Sequence, residues 1–209
     1  MIPVKVLSVR YLANASPTLS KALGAPKAYP SLAMLTTDCD DATYIALDEA
    51  TKAADVKVSY TRSFYAGASN ASTPNAGEVI GVLAGPTPGA VRSGMEAALS
   101  ALKHIGCEQV GQVPYLAYTV SRSGAYLAKE AGVEEGTPLA YLIAPPLESM
   151  YALDAALKAA DVKLCKLYAP PSETNFGGGL LSGTQSACDA ACAAFAAAVA
   201  DVAARPKGE

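Results

Sequence analysis

Two sets of acidic side chains carry most of the chemistry this sequence offers. Asp38-Cys39-Asp40-Asp41 places three carboxylates within four positions, and Glu78 is a further acid at the head of an apolar stretch. Carboxylates brought to one cavity would accept charge-assisted hydrogen bonds from a small cation. An Asp ahead of a helix is also an ordinary cap, and a Glu at a strand start an ordinary solvated charge, so both readings stand. His104 is the single histidine, and any Ser/His/Asp or Cys/His nucleophile would have to use it. Beside Cys107 at the end of a helix, the helix dipole accounts for it. Cys188 and Cys192 share a helical face, but zinc takes four ligands and no local set completes them. Phe176-Gly177-Gly178-Gly179 lacks the Lys and Ser/Thr that follow in a phosphate loop. Tyr44, Tyr60, Tyr65, Tyr141 and Tyr168 come without a basic stripe, which argues for core or interface and not for base stacking. The expectation is a protein without catalytic turnover, cofactor or metal.

The elements that must position these acids are written twice. Residues 46–57 read ALDEATKAADVK and residues 152–163 read ALDAALKAADVK, ten identities in twelve positions, 106 residues apart. Upstream, YPSLAML (29–35) aligns with TPLAYLI (137–143). Downstream, Gly81-Val82-Leu83-Ala84-Gly85 aligns with Gly179-Leu180-Leu181-Ser182-Gly183. A period of half the 209 residues is a duplicated domain, not a solenoid repeat. The division expected is 1–109 and 110–209, with a junction across 106–112.

Within the first half, 4–11 and 32–36 read as strands, with a short helix opening at Ser16-Pro17 and stopping at Gly24. A helix then starts with Asp40 or Asp41 as N-cap and presents Ala46, Ala50, Ala53 and Ala54 as a flat apolar face. Strands over 56–65 and 78–83 flank a polar loop, 66–77, and a helix over 89–104 ends the half. The second half repeats the plan: strand 114–120, helix 124–131, strand 139–144, a helix from about 148, strand 162–168, loop 169–178, a short strand and helix 184–204. Each half is an α+β sandwich with helices on a small antiparallel sheet. The halves differ at the acids. Asp38-Cys39-Asp40-Asp41 falls opposite Pro145-Pro146-Leu147-Glu148, and Glu78 opposite Phe176.

Composition excludes other classes. A net charge of −3 gives no reason to expect nucleic acid or an anionic membrane. No uninterrupted apolar run reaches bilayer length, and the start lacks a signal peptide's cationic head. Five cysteines without C-x-x-C suit free thiols in a reducing compartment. The sequons at Asn14 and Asn70 are then accidental, and the expectation is a soluble cytosolic protein.

The order LAMLTT…TYIALDEATKAADVKVSYTRSFY…GEVIGVLAGPTPGAVRSGMEAAL resembles the bacterial microcompartment shell-protein (BMC) domain. Two copies, each with an extra strand and helix in front, resemble its permuted tandem subgroup. DDATYIALDEATKAADV, RSFYAGA, VSRSGAYL, AYLIAPPLES, PPSETN and ACDAACAAF are similar to the shell subunits of ethanolamine-utilisation microcompartments. The resemblance implies two tandem, ferredoxin-like, permuted α/β sandwich domains with antiparallel sheets. It implies a homotrimer that mimics a hexamer, tiles with neighbouring shell proteins in a two-dimensional layer, and resides in a cytoplasmic microcompartment. Two similar wedges per chain closed by a three-fold axis do give a pseudo-six-fold disc. It also implies a central pore gated by the two loops, through Gly67, Ala68, Ser69 and Asn70 and through Ser172, Glu173, Thr174, Asn175 and Phe176. An ethanolamine pocket is implied as well, and Asp40 and Glu78 match it. The alternative function is a soluble trimeric sensor that binds a small amine and signals by loop movement.

Overall fold

The computed structural model describes residues 1–64, 73–170 and 172–208. In chain order the elements are β1 (Ile2–Pro3), β2 (Val6–Leu12), α1 (Pro17–Ala22), β3 (Ser31–Thr37), α2 (Asp40–Ala53), β4 (Lys57–Ser63), β5 (Val79–Gly85), α3 (Pro88–Ala101) and β6 (Gly106–Val110). They continue with β7 (Val113–Val120), α4 (Ala125–Ala131), β8 (Leu139–Ala144), α5 (Pro146–Ala159), β9 (Val162–Tyr168), β10 (Gly177–Gly183) and α6 (Gln185–Ala204). The chain divides into two compact units. The first comprises Pro3–Gly106 with Gly124–Leu127, and the second Met1–Ile2, Cys107–Ser123 and the chain from Ala128 onward.

The first unit is built on an antiparallel sheet of order β2-β3-β5-β4. Alternation along the strands sends Leu32, Val82 and Ala84 to one face, where Ala15 and the partly buried Leu12, Leu23, Ala25 and Tyr29 cover them. Helices α2 and α3 pack against each other and on the sheet. Ala42, Ile45, Ala46, Leu47 and Ala50 of α2 are fully buried, because small side chains at helical spacing let the helix lie close.

In the second unit the sheet runs β1-β6-β7-β8-β10-β9. Ala140, Leu142, Ala144 and Leu181 from its strands meet Ala152, Leu153 and Ala156 of α5 and Cys188, Ala191, Phe195 and Val199 of α6. Strand order β7-β8-β10-β9 repeats β2-β3-β5-β4 element for element. The repetition extends to an irregularity. The β4–β5 register slips between Val58 and Tyr60, leaving Ser59 as a bulge, and the β9–β10 register slips at the corresponding Cys165.

Four details depart from the sequence reading. Leu83 pairs with Ala33 while Leu181 pairs with Ala140, so Leu32 corresponds to Leu139 and the strand alignment moves by one residue. The extra residue is Asp38, in the turn between β3 and α2. The N-cap of α2 is Cys39, which leaves Asp40 and Asp41 in the first turn, where their charge still complements the helix dipole. Helix α3 ends at Ala101, and His104 is exposed in the turn that follows. The expected connector at 106–112 contains β6, paired with β7 through Glu108–Tyr115 and Val110–Val113. Gly111-Gln112 is the two-residue turn of that hairpin, a signal that reads as a linker when taken alone.

One side chain ties α4 to the first unit. Asp48 of α2 is fully buried, and its Oδ2 and Oδ1 accept the N–H groups of Gly124 (2.7 Å) and Leu127 (2.8 Å). Thr51 Oγ1 accepts from Ala125 N (3.1 Å), and Lys52 Nζ stands 3.8 Å from the Asp48 carboxylate. The first turn of α4 is thus capped by two side chains of another helix, which satisfies amides a helix start leaves orphaned. Burial pushes the Asp48 carboxyl up, against the opposing pull of the Leu127 and Gly124 amides and of Lys52. Asp48→Ala abandons two charge-assisted bonds in a dry site. The expected loss is about 3 kcal/mol, or roughly 10 °C in a thermal melt followed by circular dichroism.

Candidate functional site

The acids sit where β3 hands over to α2. Thr37, the last residue of β3, bonds the Thr43 hydroxyl at 2.7 Å, and its own hydroxyl donates to the Cys39 carbonyl at 3.0 Å. Thr43 Oγ1 lies 2.8 Å from the same carbonyl, and Cys39 N donates to Thr37 Oγ1 (3.2 Å). This knot of two threonines fixes the start of α2, so no aspartate is needed as its cap. Asp40 is buried and its Oδ1 accepts the N–H of Asp41 at 2.9 Å. Asp38 accepts the Lys5 amide at 2.7 Å.

Glu78 reaches the same place from the head of the inner strand β5. Its N–H donates to the Thr37 carbonyl (2.8 Å) and its carbonyl accepts from Phe64 N (3.0 Å), which prolongs both ladders of β5 by one residue. Gly77 precedes it at φ 65°, and a Cβ there would run into the Thr37 carbonyl, so glycine alone fits. Glu78 is half-buried. Burial, then Asp40, then Asp38 push its carboxyl above the usual range. The Asp40 and Asp38 charges thus act on Glu78 across the turn between β3 and α2.

Tyr44 completes the corner. It lies one turn beyond Asp40 on α2, and its hydroxyl bonds the Ser63 hydroxyl. Burial raises its phenol pKa, and Asp40 adds to the effect, so it remains a neutral hydroxyl. The sequence placed Tyr44 in core or interface and put Asp38 in the acidic cluster, but singled out only Asp40 and Glu78 as ligand candidates. The i,i+4 spacing of Asp40 and Tyr44 was the available signal. Among the described residues, no group of three or more His, Cys, Asp or Glu side chains is arranged to hold a metal ion.

The second unit has no such corner. Val79 pairs with Thr37 as Gly177 pairs with Ala144, so Phe176 occupies the position of Glu78. Pro146 occupies that of Asp40, as the first residue of its helix. Of the expected gate residues, Gly67, Ala68, Ser69 and Asn70 lie outside the described residues. Ser172, Glu173, Thr174, Asn175 and Phe176 form the turn between β9 and β10. There Ser172 N donates to the Phe176 carbonyl (3.0 Å) and Asn175 N to the Ser172 carbonyl (3.1 Å), with Asn175 at φ 65°. Cys192 contacts Thr119 Oγ1 at 3.5 Å, and burial pushes its thiol up to about 11, so it is a protonated core group.

The BMC domain family matches residues 31–114, from β3 into β7. Over the whole chain and 98% of its relative's length, the sequence is 58% identical to the bacterial microcompartment shell protein EutL of Clostridium perfringens. The chain belongs to the EutL family of bacterial microcompartment shell proteins. EutL of Salmonella typhimurium is 45% identical over 99% of this chain and 96% of its own. The crystal structure of the ethanolamine utilization protein EutL from Leptotrichia buccalis superposes with a TM-score of 0.95 at 56% identity, covering 99% of this chain and 97% of that one. This chain is accordingly a structural subunit of a microcompartment shell, and the acidic corner is a feature of one of its two BMC-type repeats. Gly77→Ala should cost more than about 1 kcal/mol in chemical denaturation, since it strains the backbone that sets Glu78 against Thr37.

Proposed function

We propose that this EutL-family subunit forms a homotrimeric pseudo-hexamer whose acidic corner binds ethanolamine and whose loops, 66–77 and 169–178, gate a central pore. The two BMC-type domains, 1–109 and 110–209, act as alternating wedges around the three-fold axis. The subunit itself turns nothing over. It meters small metabolites or a cofactor through the shell wall, and neighbouring shell proteins share the layer.

The observation that carries the ligand reading is Glu78, a half-buried carboxylate pushed toward neutrality by burial and by Asp40 and Asp38. Such a group gains from a cation placed between it and its neighbours. A primary ammonium meets both carboxylates, and the adjoining hydroxyl of an aminoalcohol both donates and accepts, which suits carboxylate oxygens and the Tyr44 and Ser63 hydroxyls. Because the second repeat has Pro146 and Phe176 in these places, the stoichiometry is one ligand per chain. Glu78 directly follows the 66–77 segment and its N–H holds the Thr37 carbonyl (2.8 Å), which is the link by which a bound ligand would act on the proposed gate.

Glu78→Gln should weaken ethanolamine binding at least tenfold by calorimetry, equivalent to about 1.4 kcal/mol, with the oligomer unchanged. Equal affinity would remove Glu78 from the site. The pH dependence has a definite sign. The Glu78 carboxyl is raised in the fold, so the native state is favoured when it is protonated, and that contribution fades as pH rises past the ordinary carboxylate range. A bound ammonium requires the ionised form. Ethanolamine affinity should therefore fall as pH is lowered through that range, and the thermal shift it produces should be largest at neutral pH. For the assembly, light scattering at the mass of three chains and two-dimensional sheets in electron micrographs are expected. A trimer that forms no layers would favour the sensor reading.

A further inference from the structure

We propose that a cleft beside helix α1 of the first unit is a binding site for a small phosphomonoester with a flat apolar body, held by Lys21, Lys27 and Ser20. The cleft has a volume of about 500 Å³, within the range of small-ligand sites. It lies wholly inside the first unit and shares no residue with the acidic corner. Pro17, Ser20 and Lys21 form its α1 wall, three positions that helical spacing sets on one side of the helix. Leu19, the exposed apolar residue of α1, falls on the other side.

The turn after α1 supplies the opposite wall. Gly24, at φ 69°, follows the helix end, and Ala25 N donates to the Ser20 carbonyl at 2.9 Å. Tyr29 N donates to the Pro26 carbonyl at 2.8 Å, which turns residues 26–29 back on themselves. Pro26, Tyr29 and Pro30 then line the cleft, each of them half-buried. Proline rings have no rotamers to freeze. Tyr29 is fixed through its hydroxyl, which donates to Asp55 at 2.5 Å, so the apolar wall is formed before a ligand arrives.

The rim is cationic. Lys21 and Lys27 are exposed, and neither has an ion-pair partner among the described residues. Lys57 Nζ lies 5.6 Å from the centre of the Tyr29 ring and adds a third positive charge at that wall. Asp55, the acid there, is engaged by the Tyr29 hydroxyl. At the floor, Ser20 is 9% exposed, and its hydroxyl is one of two buried side-chain hydroxyls that lack a partner among the described residues. Leaving such a group unpaired costs stability. Rotation about its Cα–Cβ bond presents that hydroxyl to a group bound in the cleft.

The second repeat shows that packing does not require these residues. Ala25 N reaches the Ser20 carbonyl as Val133 N reaches that of Ala128, and Tyr29 N reaches Pro26 as Thr137 N reaches Glu134. Ala128 therefore stands for Ser20, at 2% exposure and without a hydroxyl, and Glu134-Glu135 stands for Pro26-Lys27. The same helix and turn form with an alanine and two acids. In the first repeat the hydroxyl and the added lysine are thus free of a structural duty, and together with Lys21 they supply what an anion needs.

Two ammonium groups and one hydroxyl are three donor groups, one for each terminal oxygen of a phosphomonoester, whereas a carboxylate has only two oxygens to offer. An aromatic body lies flat against the proline rings and Tyr29. This ligand is opposite in charge to the cation proposed for the acidic corner, so the subunit has a separate place for each sign.

Calorimetry on the full-length oligomer, with phenyl phosphate as the probe, should give saturable binding at one per chain, and phenol should give none. Benzoate should bind about tenfold more weakly than phenyl phosphate. Lys27→Glu, the change toward the second repeat, should weaken phenyl phosphate by about tenfold. Ser20→Ala should weaken it as well, with a melting temperature no lower than that of the unaltered chain, because an unpaired buried hydroxyl has been removed. No saturable heat with phenyl phosphate, equal binding of phenol or benzoate, or an unchanged affinity in either variant would overturn the inference.

Discussion

A carboxylate with no access to water governs how this chain is put together. Burying Asp48 without partners would cost several kcal/mol, and the structure meets that demand only by delivering the first turn of α4 to it. The demand runs both ways, since the amides at the start of α4 have no partners of their own helix. Ile45 beside it becomes core, and Tyr126 is carried onto β4. A segment of the second sequence repeat is thereby made part of the first folded unit. The same residue in the other repeat lies in solvent and pairs with Lys158, so nearly identical local sequence yields two environments.

That contrast sets the limits of what could be read from the residues. The identity of 46–57 and 152–163 made the duplication, the fold class and nearly every helix and strand legible, because periodicity and small-residue faces are local properties. The register was less so. A string alignment cannot see that Asp38 is an extra residue in a turn, whereas the pairing of Leu83 with Ala33 and Leu181 with Ala140 fixes it. The N-cap of α2 was misplaced for a related reason. Propensity favours Asp, but Thr37 and Thr43, six residues apart, close the helix start through Cys39, a tertiary arrangement with no one-dimensional signature. The β6 strand was hidden because Gly111-Gln112 serves equally well in a linker or a hairpin.

The acidic corner illustrates how a duplicated fold diverges. Asp40 and Glu78 stood out by comparison between halves, since Leu147 and Phe176 fall opposite them without charge; the strand register then replaces Leu147 by Pro146. Their meeting could not be read from spacing, because it depends on Glu78 extending the ladder beside Thr37. Gly77 is the enabling residue: without its positive φ the acid would not face Asp40. Asp38, the inserted residue, lies in the same turn and adds its field to the corner.

The outer strands have a further bearing on a protein that lives crowded in a wall. Among the described residues, β4 is an outer strand of the first sheet and bears Lys57 and Arg62, while β9 is an outer strand of the second and bears Lys163 and Lys166. At the opposite margin of the second sheet, β1 is only two residues long. Cationic or curtailed margins discourage backbone-to-backbone zippering between molecules. Three of the four outer strands thus carry such a deterrent, while β2 (Val6–Leu12), with Arg10 as its single charge, is the margin left open to a backbone partner.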